Sequence, residues 1–80
     1  MEQQNLTDAL DIKHALEKKL GYGALQLVAD VHAVKLPIVS NAISGRRRSP
    51  RDMKILAWIA AEIGQPVLGV LPDGKELENF

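Results

Sequence analysis

Residues 28–50 read VADVHAVKLPIVSNAISGRRRSP, and the fold depends on how this stretch divides. Apolar residues recur at helical spacing, lapse near Ala33–Lys35, resume at Leu36 and stop at Gly45. Leu25, Val28 and Ala29 fall on one face, at i, i+3 and i+4, which predicts a helix over about 24–32. Pro37 is tolerated only in the first turn of a helix, so a second helix should begin around Leu36. Val39, Ala42 and Ile43 would form its buried face, and Gly45 would end it. Arg46, Arg47 and Arg48 follow at once, and then Ser49-Pro50.

The flanks extend the helical pattern. Upstream, Thr7 or Asp8 can cap a helix in which Ala9, Ile12, Leu16 and Leu20 recur at near-helical spacing. Lys18 and Lys19 suit the negative end of its dipole, and Gly21 is a stop. Downstream, Ser49-Pro50-Arg51-Asp52 has a capping serine, a proline at the first helical position and an acid three residues after the serine. That helix should run to about Ile63 on a stripe of Leu56, Ile59, Ala60 and Ile63, with Gly64 as its stop. Ile55 and Trp58 lie beside the stripe and are expected in the core. The segment 65–72, QPVLGVLP, is apolar but broken by proline and glycine. A short fifth helical turn packing back on the core is expected there. Residues 1–7 read as an N-terminal arm, 8–72 as one domain, and 73–80 as a polar tail.

Eighty residues make one small domain. The chain has no cysteine, which fits a reducing compartment and removes thiol ligands. Its polar start lacks the pattern of a secretory signal, and no apolar run approaches the roughly 20 residues of a membrane span. Ten basic and ten acidic side chains balance overall, but their distribution is uneven. Residues 1–34 carry −2, residues 35–54 carry +5 and residues 55–80 carry −3. In the middle segment Lys35, Arg46, Arg47, Arg48, Arg51 and Lys54 face a single acid, Asp52. An even pI thus conceals a local cationic patch.

Two short helices joined by a three- or four-residue turn match a helix-turn-helix. That motif needs a small residue where the helices cross, a turn residue that accepts an unusual backbone, and an inward aliphatic residue in the second helix. Ala29, Ala33 and Val39 supply these at the right separations. On "LVADVHAV", "VSNAISG" and the capped helix leading into "GQPVLGVLP", residues 24–63 resemble the lambda-repressor-like helix-turn-helix regulators, most of all the Ner and Cro kind of phage and prophages. The resemblance implies an all-α, lambda-repressor-like bundle of four to five short helices, with the motif at about 24–45. Two positions depart from the family pattern. Ala33 stands where the turn usually carries glycine, and a left-handed alanine costs roughly 1 kcal/mol, which leaves room for a differently shaped turn. Leu36 and Pro37 stand where such proteins often place polar base-reading side chains; Leu36 shares a face with Val39 and Ile43 and is expected to be at least partly buried.

In this architecture the second helix enters the major groove by its N-terminal end. The base-contacting set is then Lys35, Pro37, Ser40, Asn41 and Ser44, with Asn41 suited to adenine, Lys35 to guanine and Ile38 to a thymine methyl. Arg46, Arg47, Arg48, Ser49, Arg51 and Lys54 form the phosphate-contacting set, aided by the free amides of the helix that Ser49 opens. His14 and His32 have no partner pattern suited to a metal, and His32 reads as a partly buried turn residue. No catalytic residue, metal, cofactor, small-molecule ligand or membrane contact is expected. The resemblance implies a cytoplasmic, nucleoid-associated, sequence-specific regulator of double-stranded DNA. It would act as a repressor, with two copies on a palindromic operator. The alternative is a protein-interaction module on the same fold, an antitoxin or adaptor, motivated by the apolar 66–71 segment. A third reading is an architectural factor that bends DNA in the manner of excisionases.

Overall fold

Asp8 opens the first helix: its backbone is extended and its Oδ1 accepts the Leu10 N–H at 2.8 Å. Of the two candidate caps, Asp8 rather than Thr7 is used. The computed structural model describes residues 5–76. Helix α1 spans Ala9–Leu20, with Lys18 and Lys19 in its last turn, and ends where the Gly21 N–H reaches Glu17 O at 2.7 Å. Helix α2 spans Ala24–Val31, so His32 caps it instead of extending it. Helix α3 spans Leu36–Ser44 with Pro37 in its first turn, and Gly45 closes it at φ +75°. Helix α4 spans Pro50–Ile63 and stops at Gly64, φ +73°. Its start is a reciprocal box: Ser49 Oγ accepts the Asp52 N–H at 3.3 Å, and Asp52 Oδ2 accepts the Ser49 N–H at 3.2 Å.

The protein is thus all-α, with four helices and no strand among the described residues. Helix α1 packs on the other three, and α3 packs on both α2 and α4. The inward positions read from the periodicity meet in one core. Ile12 and Leu16 of α1, Val28 and Ala29 of α2, Val39 and Ala42 of α3, and Leu56, Ile59 and Ala60 of α4 are all fully buried. Ile55 is fully buried as well. Ala9, Leu20, Leu25, Trp58 and Ile63 pack around the core as partly buried residues. Trp58 meets the His32 ring edge-on, with centroids 5.8 Å apart. The His32 Nδ1–H donates to Val28 O at 2.8 Å, so that ring is fixed by its own helix. Leu36 is a correction. At 40 % exposure it sits on the rim, because α3 has only begun to pack at its first residue.

Between α2 and α3, Ala33 takes φ +54°. The turn therefore adopts the left-handed conformation despite lacking glycine. Val34 N–H then reaches back to Ala29 O at 3.0 Å, which holds the turn against α2. Replacing Ala33 by glycine would remove a steric penalty of roughly 1–2 kcal/mol. It would also add roughly 0.5–1 kcal/mol of unfolded-state freedom. The first term is larger, so Ala33→Gly is expected to raise Tm by a few degrees. A Tm equal to or below the parent's in a thermal melt would show that the left-handed alanine is unstrained.

The expected fifth helical turn does not form. Val67 and Val70 instead exchange both backbone hydrogen bonds, each 2.9 Å, across a two-residue turn. Both central residues have positive φ, Leu68 at +50° and Gly69 at +80°. This is the type I′ pattern, whose twist suits a hairpin. Helix is disfavoured here because Pro66 and Pro72 lack an N–H and Gly69 is entropically costly. The N-terminal arm joins the turn: Leu6 N–H donates to Pro66 O at 2.9 Å, and Leu68 N–H donates to Leu6 O at 2.7 Å. Asn5 Oδ1 accepts the Gly69 N–H at 2.9 Å. On the other side the chain turns back at Gly74, and Glu76 bridges Val70. Residues 73–76 are therefore folded onto the hairpin; the rest of the expected arm and tail, 1–4 and 77–80, lies outside the described residues.

Candidate nucleic-acid interface

The outer face of α3 is set by its inner one. With Val39, Ala42 and Ile43 buried, Ser40 and Ser44 are exposed and Asn41 is half-buried. Ser44 Oγ donates to Asn41 O at 2.7 Å, so its hydroxyl proton is committed within the helix and its lone pairs remain. Lys35 and Pro37 are exposed at the N-terminal end of α3. Ile38, read as a thymine-methyl contact, is partly buried and packs on the core.

Ser40, Asn41, Ser44 and Arg46 line one open groove of about 480 Å³. Its opposite wall includes Leu10 and Lys13 of α1 and Leu25 of α2. Two cations, Lys13 and Arg46, border it, and no carboxylate does. Lys13 and Leu10 escaped the reading of the sequence because they lie far from the arginine cluster along the chain. Only the packing of α1 against α3 brings them together. Leu10 is 57 % exposed and lines this groove. Lys35, Pro37, Arg47, Arg48, Ser49, Arg51 and Lys54 do not line it.

Gly45 turns the chain out of α3, and the arginine loop follows. Arg46 and Arg47 are exposed, and neither has an ion pair or side-chain hydrogen bond among the described residues. Arg48 differs. Its Nη1 donates to Leu68 O at 3.0 Å, its Nη2 lies 3.9 Å from Glu76 Oε1, and only a third of its side-chain surface is exposed. Arg51 stays half-exposed, 4.0 Å from Asp52 Oδ1, and Lys54 is exposed.

The start of α4 is not an open anion site. Asp52 is 1 % exposed and its Oδ2 takes both the N–H and the Oγ–H of Ser49, the latter at 2.8 Å. Ser49 Oγ in turn takes the Asp52 N–H. Pro50 has no N–H, so the Arg51 amide is what remains for an outside acceptor. A carboxylate three residues along the chain is present at high effective concentration and answers the helix dipole before any phosphate can. Ser49 is thus committed to the cap, and the cationic side chains with the Arg51 amide are what this region offers to an anion.

No group of three or more histidines or carboxylates suited to a metal occurs among the described residues. No helix there is long and apolar enough to cross a membrane. No protein-family model, curated protein or solved structure matches this chain.

Proposed function

We propose that this chain is a sequence-specific regulator of double-stranded DNA, built as a lambda-repressor-like helix-turn-helix. Helix α2 supports α3, and α3 enters the major groove. The observation that carries the reading is the pairing of two features. Arg46 and Arg47 are unpaired cations directly beyond α3 among the described residues, and the groove beside α3 has polar base-sized contacts and cations but no carboxylate. Ala29 and Val39 fully buried and Ala33 left-handed support the motif.

The roles divide by chemistry. Arg46, Arg47, Arg51 and Lys54 neutralise phosphates and make affinity salt-dependent without reading sequence. Lys13 adds a cation from α1. Lys35 and Asn41 have the donors and acceptors to read base edges, and Ser40 can add a contact. One copy presents a small surface, so two copies on a palindromic site supply the affinity of an operator complex. Occupancy of that operator would then exclude polymerase, which makes the chain a repressor.

The interaction-module alternative drew on the apolar 66–71 segment. Pro66 to Val70 are buried in this chain, which leaves Leu71, partly buried, as the apolar side chain the segment can offer a partner. Selection of bound sequences from a random duplex pool at near-physiological salt tests the reading directly. A palindromic consensus is expected; folded protein that enriches nothing would end it. Within that consensus, Asn41→Ala is expected to relax one base position by about 1–3 kcal/mol while leaving the others unchanged. Uniform weakening across all sequences would instead make Asn41 a backbone contact.

A further inference from the structure

The geometry points to the Leu68 hairpin as a clamp on the arginine loop, with Arg48 as a positioning residue, not a phosphate ligand; this rests on the DNA reading above. Leu68 is one of two non-glycine residues with positive φ among those described, and it is 5 % exposed. A buried leucine held left-handed is strained, and such strain persists only where surroundings over-determine it. Here both ends of the loop meet that one residue. The Leu68 side chain lies against Gly45, where a Cβ added to the glycine would sit 3.8 Å from both of its methyl carbons. The Leu68 carbonyl holds the Arg48 guanidinium. The loop's first and last residues are therefore fastened to a single point, and Arg46 and Arg47 are displayed between them.

The clamp is itself fastened from the other side of the chain. Leu68 N–H is held by Leu6 O, and the next amide, Gly69, by the Asn5 side chain. Glu76 adds a longer-range partner for Arg48. Two consequences follow. The positive charge of Arg48 is aimed back at the hairpin, so it adds little to phosphate neutralisation. And Asn5, which is uncharged, should influence DNA affinity through the loop it helps to hold.

The test is the salt dependence of binding to a nonspecific duplex for the full chain and for Arg46→Ala, Arg48→Ala and Asn5→Ala, with backbone order parameters of residues 45–48 from NMR relaxation. Arg46→Ala should lower the slope of log affinity against log salt by about 1. Arg48→Ala and Asn5→Ala should weaken binding roughly threefold to tenfold with the parent's slope, because they disorder a grip without removing a phosphate contact. Loop order parameters should fall from about 0.85 in the parent to below about 0.6 in both variants. A slope lowered by about 1 in Arg48→Ala would make it a phosphate ligand and overturn the clamp, as would unchanged affinity in both variants. If the parent binds no duplex at any salt, the DNA reading fails; the clamp then stands if the order parameters fall and is refuted if they do not.

Discussion

Val39→Asp is expected to abolish the folded state. Val39 is 0 % exposed, on the helix that packs against α1, α2 and α4 at once. Losing its burial forfeits about 1.5–3 kcal/mol. The carboxylate that replaces it would have no partner in an apolar core, which costs several kcal/mol more whether it stays ionised or takes up a proton. Small domains sit near the low end of the usual stability range, about 5 kcal/mol, so the sum exceeds what the fold can bear. Trp58 is the sole tryptophan and packs on the core, so its emission and the far-ultraviolet helical signal should both report the loss. A cooperative melt near the parent's Tm would mean that the core is assigned wrongly.

Arg46→Ala combined with Arg47→Ala is expected to have the opposite profile, with DNA binding strongly weakened and fold intact. Both side chains are exposed, and substitutions of this kind usually shift stability by no more than about 0.5 kcal/mol. Two lost phosphate contacts should lower the salt slope by about 2. Extrapolated from 1 M salt, counterion release makes that about thirtyfold in affinity at 0.15 M. The measurement is a salt titration of duplex binding beside a thermal melt of the same preparation. Full affinity with an unchanged slope would remove the arginine loop from the interface.

The helices were legible because their signals are local. Asp8, Ser49 with Asp52, Gly45 and Gly64 each act within a few residues, so cap chemistry alone places those ends. The inward faces followed from period. The hairpin at 66–70 was not legible. A type I′ turn favours asparagine before glycine, and nothing local in Val-Leu-Gly-Val says that leucine will accept a left-handed backbone. What holds it there is long-range: the Leu6 pairing, the Asn5 side chain and Arg48.

The candidate site was readable as a charge pattern but not as a geometry. Counting charges found the arginine cluster yet treated its members as equals. Arg48 turns inward onto the hairpin, which depends on a partner elsewhere in the fold, and Ser49 is committed to Asp52. Lys13 was missed for the converse reason, since it reaches the same groove from a different helix. The sequence shows Asp52 as the acid that completes a cap and as the single acid of the cationic segment. That the same carboxylate is buried and takes up both the amide and the hydroxyl of Ser49 becomes evident only from the fold.

The bridged patch at the ends of the fold has a topological consequence. Leu6 adjoins Val67, Val67 adjoins Val70, and Val70 adjoins Glu76. At roughly 4.8 Å per step, the backbone at Leu6 and at Glu76 is at most about 14 Å apart. A linker of about five or six residues could join them, at about 3.3 Å per residue. From Leu6 to Glu76 the backbone path is thus nearly a closed ring, and a version joined across those two residues could be cut elsewhere, for example at the exposed Tyr22 between α1 and α2. Such a permutant would leave the arginine loop and the outer face of α3 uninterrupted while turning the junction of Leu6 and Glu76 into an internal turn.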